Sequence, residues 1–370
     1  MNTSKLIRVL AVTAVLASAC GSAPATGNAP PASPSSPATT ATPTATLPTA
    51  TPTPTSTTRL ALVTLRGSNQ LVVRDITDIN HPKTVGNVGT VTELYQAEFV
   101  SATALTYADQ NTSIIRVPLA GSPKTVVAKS AQAMLLTWSP DGSTLAYISN
   151  NPSKSELHFV AGGQNRVATS MPPFIGGCET QSCGVVSDFR LSYSQDGQLI
   201  SLTQPWGGPN FRLWTSAGKL LKDNAGGIYE MSTWSGNNLY TVDSSGVVVM
   251  RDGIVVAPWL PGVRWLRPKG SPGGGQIVYG ATDKSGWDHV YVVDTATKKV
   301  RELKKARTEP VFLTSRYIWY QGERACLATD ACDGSLPVIA NGKSYIYDLK
   351  DGTETESIIT SVLDVWPHAG

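Results

Sequence analysis

The chain is poor in charge. Only 15% of its 370 residues are Asp, Glu, Lys or Arg, and residues 21–58 contain none of them. Net charge is +3, and falls to near +1 if Lys5 and Arg8 leave with an N-terminal leader. No basic excess marks a nucleic-acid surface, so no nucleic-acid partner is expected. Histidine is scarce as well, with four copies. His81, His158, His289 and His368 stand in separate strand contexts, where a lone histidine is more often structural than catalytic. A G-x-S-x-G nucleophile elbow is absent, and no residues remain for a hydrolase domain beside the repeats described below. An EF-hand loop is absent too. Asn341-Gly-Lys-Ser344 mimics the end of a phosphate loop, but Pro337 stands where that loop needs glycine, so Asn341-Gly342 reads as a turn into a strand. Gly273-Gly-Gly275 is likewise a turn between two strands. No catalytic residue, metal or cofactor is expected.

Long apolar runs are missing. The longest near the N-terminus, Val9–Ala17, follows Lys5 and Arg8 and is too short for a permanent membrane helix. It reads as the core of an export signal over residues 1–20. Its end, Leu16-Ala-Ser-Ala-Cys-Gly-Ser22, resembles a bacterial lipobox, in which Cys20 becomes the acylated N-terminus. Ala17-Ser-Ala19 also suits an ordinary signal peptidase, and both readings cut the same bond. Cysteine usage favours the lipoprotein. Of five cysteines, Cys178 and Cys183 lie close together, as do Cys326 and Cys332, and no histidine is near either pair to suggest zinc. In an oxidising compartment they predict two short-loop disulfides, leaving Cys20 for lipid. Residues 21–58, built of Ala, Thr, Pro, Ser, Gly, Leu and Asn, cannot bury enough apolar area to order themselves. They predict a disordered stalk reaching at most about 100 Å from a membrane.

What is present is a repeat. Phe99, Trp138, Tyr193, Trp234, Trp265, Phe312 and Trp366 each close a short apolar run and precede a turn. Leu136-Thr-Trp-Ser-Pro-Asp-Gly142 and Leu191-Ser-Tyr-Ser-Gln-Asp-Gly197 are the fullest copies. Second and third apolar runs follow, such as Leu145-Ala-Tyr147 and Val290-Tyr-Val-Val-Asp294. Repeats of this length in units of four strands predict an all-β, seven-bladed β-propeller over residues 59–370. The aromatics are expected at the ends of the innermost strands, wedged between blades, and Asp141 and Asp196 are turn caps rather than catalytic carboxylates. Arg59–Leu65 has no aromatic strand before it, whereas Val362–Gly370 aligns with Met134–Gly142. The C-terminal strand should therefore complete the first blade and remove two open sheet edges.

This pattern resembles the TolB-type, WD40-like propeller repeat, marked by an aromatic, S-P-D-G and a short L-A-Y-type strand. Residues 134–147 match it best. The resemblance implies the propeller fold and a role in protein–protein contact. The amino-terminal domain of TolB has no counterpart here, so TolB's own partner is not implied.

Propeller loops divide between two faces, and four elaborated loops share one of them: those with Cys178 and Cys183, with Cys326 and Cys332, Gln204–Pro209 and Thr282–Asp288. Binding residues concentrate in loops carried on a rigid scaffold. Trp206, Trp287, Phe174 and Asp283 are the candidate binding residues, against the alternative that the aromatics cap the blades. The leading expectation is a non-enzymatic, monomeric binding module, lipid-anchored outside the cytoplasm, for an envelope protein or polysaccharide. The alternatives are a lyase or glycan hydrolase working in the funnel, a passive envelope component, and a secreted soluble protein.

Overall fold

The computed structural model describes residues 58–368, except 69, 91–93, 110–112, 122, 130–132, 151–152, 173–189, 204–210, 224–229, 244, 252–253, 264, 326 and 328–336. Cys20 and the stalk, Phe174, Trp206, Cys178, Cys183, Cys326 and Cys332 lie outside the described residues.

Seven four-stranded antiparallel sheets form the seven blades of a β-propeller. Blade one joins β1 (Leu60–Leu65), β2 (Gln70–Asp75) and β3 (Lys83–Thr90) to the last strand, β28 (Ile359–Trp366). The next six take four successive strands each: β4–β7 over residues 94–129, β8–β11 over 133–171, β12–β15 over 190–223, β16–β19 over 230–261, β20–β23 over 266–305 and β24–β27 over 307–357. Closure is a ladder from Leu60 opposite Trp366 to Leu65 opposite Ile359, with register shifts between Leu62 and Val63 and between Thr64 and Leu65. The blade edge that β1 would otherwise expose is thereby paired by the far end of the chain.

The core is split into seven buried clusters, one for each junction between neighbouring blades. This follows from the strand period of two, because the two faces of each sheet pack against different neighbours. Phe99 joins Leu60, Leu62, Leu71 and Val73 of blade one, and Trp138 joins Val100, Ala104 and Ile114 of blade two. Phe99 and Trp138 thus face the preceding blade, whereas Trp366 packs into the cluster that blade one shares with blade two. Two of the indoles are satisfied within the preceding blade, Trp138 Nε1 donating to Thr106 Oγ1 at 3.1 Å and Trp234 Nε1 to Ser201 Oγ at 2.9 Å, while Trp366 Nε1 has no partner among the described residues. Thr106 pairs with Glu98 and Ser201 with Ser192, so both hydroxyls occupy the same position in their blades.

Three local expectations are corrected. Val365, not Trp366, holds the aromatic position of the closing strand, one residue after Asp364 as Phe99 follows Glu98, and Trp366 packs toward blade two instead. Trp265 does not close an inner strand. It precedes β20 (Leu266–Gly270), and the turn after that strand, in which Gly274 N donates to Ser271 O at 2.9 Å, matches Ser139–Gly142 and Ser194–Gly197. Gly270 therefore holds the aromatic position. Trp265 fills the same wedge from the other end of the strand, buried against Trp259 and Tyr279. Asn341-Gly342 is no turn between strands either. It lies inside β26 (Val338–Asp348), where pairing with β25 (Tyr317–Arg324) skips across an irregularity at Gln321–Glu323. Asp141 and Asp196 cap their turns as expected, accepting Ser143 N and Gln198 N at 3.0 Å each.

Candidate functional site

Inner strands line the axis, and their outer edges carry backbone N–H groups that no strand pairs. Polar side chains of the neighbouring blade satisfy several of them. Asp364 of β28 accepts Phe99 N at 2.7 Å, Glu98 of β4 (Leu94–Ser101) accepts Trp138 N at 3.4 Å, and Thr233 of β16 (Glu230–Ser235) accepts Gly270 N at 3.0 Å. All three donors stand at the aromatic position of the next blade.

At the junction of blades one to three this belt becomes a charged cluster. His368 Nε2 lies 2.9 Å from Asp364 Oδ2, and its Nδ1 3.8 Å from Glu98 Oε1, which also accepts Thr137 Oγ1. Burial opposes charge on His368, but Asp364 and Glu98 outweigh it and push the imidazole up to about 9. Burial pushes Glu98 up to about 8, with the Asp364 charge adding to it. The cluster lies toward the a-to-b end of the inner strands, and both carboxylates are occupied by the next blade's backbone. Among the described residues no group of three or more His, Cys, Asp or Glu is arranged to hold a metal.

The opposite mouth of the axis is built differently. In blades five, six and seven the inner strand bulges at one equivalent place, between Glu230 and Thr233, Leu266 and Lys269, and Thr308 and Val311. The first bulged residue has positive φ each time: Met231 at 32°, Arg267 at 46° and Glu309 at 55°. Such bulges normally use glycine there, because a Cβ in the left-handed region is strained by about 1–2 kcal/mol. Arg267 Nη1 meets Glu309 Oε1 at 2.8 Å, and Arg267 N lies 2.9 Å from Met231 Sδ. Beside them Arg190, Thr203, Met231, Ser232, Arg267 and Pro268 line a small notch, with Thr203 and Ser232 joined through their hydroxyls.

This mouth continues outward to the b-to-c loop of blade six, between β21 (Gln276–Thr282) and β22 (Asp288–Asp294). Thr308 Oγ1, one residue from Glu309, donates to Asp288 Oδ2 at 2.7 Å. The loop itself is organised by Asp283. Its carboxylate accepts Ser285 N at 2.8 Å and Trp287 N at 3.0 Å, and meets His289 Nε2 at 3.1 Å and Lys305 Nζ at 3.3 Å. The His289 contact, with the loop amides and Lys305 adding to it, outweighs burial and holds Asp283 down at about 2. His289 is clamped on its other nitrogen by Glu302 at 2.9 Å and stacks on Tyr291, which stacks on Tyr279. Burial lowers the imidazole pKa, but the two carboxylates outweigh it and leave it raised.

The four expected binding residues thus divide. Trp287 and Asp283 are adjacent in one stiffened loop, Trp287 partly exposed and Asp283 engaged in holding the loop. Trp206 and Phe174 lie outside the described residues, although the strands on either side of their segments end on this same face. Sequence reasoning missed the bulge series and the Arg190–Arg267 notch, since the residues come from three separate blades. The Glu98 belt did leave a signal: a polar residue directly precedes the aromatic in Glu98-Phe99, Thr137-Trp138, Ser192-Tyr193 and Thr233-Trp234.

No family model matches the chain, and no curated protein matches it. Solved structures do. An oligogalacturonate lyase from Vibrio parahaemolyticus aligns at TM-score 0.53 and 11% identity, over 82% of this chain and 85% of that one. A prolyl endopeptidase aligns at TM-score 0.53 and 12% identity, over 82% of this chain and 50% of that one. TolB from Acinetobacter baumannii aligns at TM-score 0.47 and 16% identity over 83% of this chain, which spans 65% of TolB's length. The neighbours include enzymes as well as propellers of other kinds, and identities this low speak to fold alone. The chain is an all-β, seven-bladed β-propeller, the fold it shares with these structures.

Proposed function

We propose that this protein is a non-enzymatic binding module, lipid-anchored through Cys20 outside the cytoplasm, that seats an envelope partner on the face bearing Trp287. The observation that carries the reading is the blade-six loop. One carboxylate, Asp283, fixes two loop amides, a histidine and a lysine, and so holds a partly exposed tryptophan on a rigid scaffold. A pre-stiffened aromatic binds at low entropic cost. Asp283 thus acts as a positioning residue and Trp287 as the anchor. The expected disulfides Cys178–Cys183 and Cys326–Cys332, with Trp206 and Phe174, belong to segments entering from the same face and would enlarge this surface.

The test is recovery of partners from envelope extract on wild-type protein, on Trp287→Ala and on Asp283→Ala. Truncating a buried aromatic anchor typically costs about 2 kcal/mol or more of binding, a loss of at least about 30-fold. Trp287→Ala should lose the partners outright and Asp283→Ala should lose them in part, with melting temperatures little changed. Equal recovery by folded variants would remove the reading.

The second reading is an enzyme of the funnel, favoured by the Glu98–His368–Asp364 cluster and by the lyase among the structures of this fold. Against it stands the use of both carboxylates as acceptors for backbone amides of the next blade. Cleavage of envelope polysaccharides by wild type that Glu98→Gln abolishes would establish it.

A further inference from the structure

We propose that a proton on His289 locks the Trp287 loop, so that the partner is held more tightly in acid than in alkali. The inference deepens the binding reading above and rests on it for the role of Trp287. Its first support is the way Asp283 divides its two oxygens. Oδ1 accepts the loop amides of Ser285 at 2.8 Å and Trp287 at 3.0 Å, whereas Oδ2 meets His289 Nε2 at 3.1 Å and Lys305 Nζ at 3.3 Å. One oxygen thus holds the loop, and the other ties it to β22 and β23 (Val300–Lys305). Of the two ties His289 is the sheltered one, its side chain 14% exposed against 58% for Lys305. An exposed ion pair contributes little, so the imidazole carries most of the attachment.

The second support is proton stoichiometry. His289 Nδ1 lies 2.9 Å from Glu302 Oε1, so each ring nitrogen faces a carboxylate. Ionised carboxylates only accept, and a neutral imidazole has a single N–H to donate. Both contacts are therefore hydrogen bonds only while the ring carries two protons. When one leaves, Asp283 either faces a bare lone pair or keeps a neutral hydrogen bond about half as strong as the charge-assisted one. Its tie to the strands weakens in both cases. The surroundings set where this happens. Burial opposes charge on the ring, but Glu302 and Asp283 outweigh it and leave its pKa raised. Glu323 on β25, from the blade-seven side, adds negative charge, with Asp288 next to it. The cations nearby are Lys305 on β23 and the exposed Lys284 in the loop, and β21 carries no charge. Tyr291, stacked on the ring, is kept neutral by burial, and Asp283, held down at about 2, stays ionised. A raised histidine pKa means that the lock is complete in acid, below about 6.5, and is lost as pH climbs through a higher value.

The test is hydrogen–deuterium exchange of the full-length protein without partner. It reads the protection of the Ser285 and Trp287 amides from about pH 5.5 to about pH 8.5, corrected for the intrinsic exchange rate at each pH. Wild-type protection should fall about fivefold in one titration with its midpoint above about 6.5, the difference between a charged and a neutral hydrogen bond. In His289→Gln it should not change with pH. Glu302→Gln should titrate at a lower midpoint, because its amide can accept from Nδ1–H or donate to the bare nitrogen and so tolerates the neutral ring. Wild-type protection that is flat with pH, a fall that survives in His289→Gln, or a midpoint that Glu302→Gln leaves unmoved overturns the lock. If His289→Gln does not fold, the half-exposed Glu302 carries the comparison. Partner capture at the two ends of the pH range reads the consequence, and it should weaken in alkali for wild type and not for His289→Gln. Flat protection, with capture still lost in Trp287→Ala, would overturn the lock and leave the binding face standing. Protection that follows pH, with capture indifferent to Trp287, would keep the lock and remove the binding reading, because the exchange measurement needs no partner.

Discussion

Gly246 stands at φ 121°, and a Cβ built on it would come within 2.5 Å of both Gly262 N and Leu260 O. Both contacts are backbone atoms of the same outer hairpin, so nothing flexible can yield. Gly273, at φ 83° in the turn after the inner strand of blade six, has nothing within 4 Å of its Cβ position. Gly246→Ala should therefore lower stability by roughly 3 kcal/mol or more, through clash and strain together, whereas Gly273→Ala should cost about 1 kcal/mol through φ alone. Urea melts of the two variants compare them directly, and equal losses would mean that the outer hairpin relaxes around the new methyl. Asp283 makes the same point at the site. Its role in sequence was that of a candidate ligand contact, but its oxygens are spent on Ser285 N, Trp287 N, His289 and Lys305. The type of residue was legible and its job was not, because the loop's internal bonding depends on a histidine in β22 and a lysine in β23 (Val300–Lys305).

Among the elements, the inner strands carry the most distinctive chemistry. Where β28, β4 and β8 (Ala133–Trp138) meet, His368 has its pKa raised to about 9 and Glu98 to about 8. A raised histidine contributes stability in full below its unfolded value near 6.5, and that contribution is lost as pH rises through 9. For Glu98 the protonated form is the one the fold favours, so its contribution is fullest below about 4.5 and is lost as pH climbs through 8. Both act in one direction. Wild-type Tm should fall between about pH 4.5 and pH 9, and Glu98→Gln, which keeps an acceptor for Trp138 N but cannot ionise, should flatten the lower part of that fall. Parallel pH curves for wild type and variant would show that Glu98 is not the buried acid described. The polar residue before Phe99, Trp138, Tyr193 and Trp234 was visible as a pattern in the sequence. What it does was not, since its partner is an amide of the next blade, about forty residues away between Glu98 and Trp138 and 265 away between Asp364 and Phe99. Bulges in β16, β20 and β24 (Arg307–Phe312) were hidden for a related reason. Met231, Arg267 and Glu309 replace the glycine that would have announced them.

For the whole molecule, the ring was the most legible feature because the aromatic and turn spacing repeats and the ends of the chain complement each other. β28 supplies the inner strand that β1 needs, and together they hold Phe99 and Trp319 in the junctions on either side of blade one. Deleting residues 361–370 should expose both junctions and abolish cooperative melting of the propeller; an unchanged melting curve would contradict closure. The proposed binding face was only partly legible, since loop topology assigns a face from strand order alone but the notch at its centre requires residues from blades four, five and six to converge on the axis. The binding account rests on that face, and the most direct measurement sets it against the other. Partner capture is compared for wild type, for Trp287→Ala on the b-to-c face, and for Ala296→Arg in the exposed β22–β23 turn at the opposite end of the same blade. The account predicts that Trp287→Ala loses the partner while Ala296→Arg keeps it. Loss with Ala296→Arg and full capture by Trp287→Ala would contradict it.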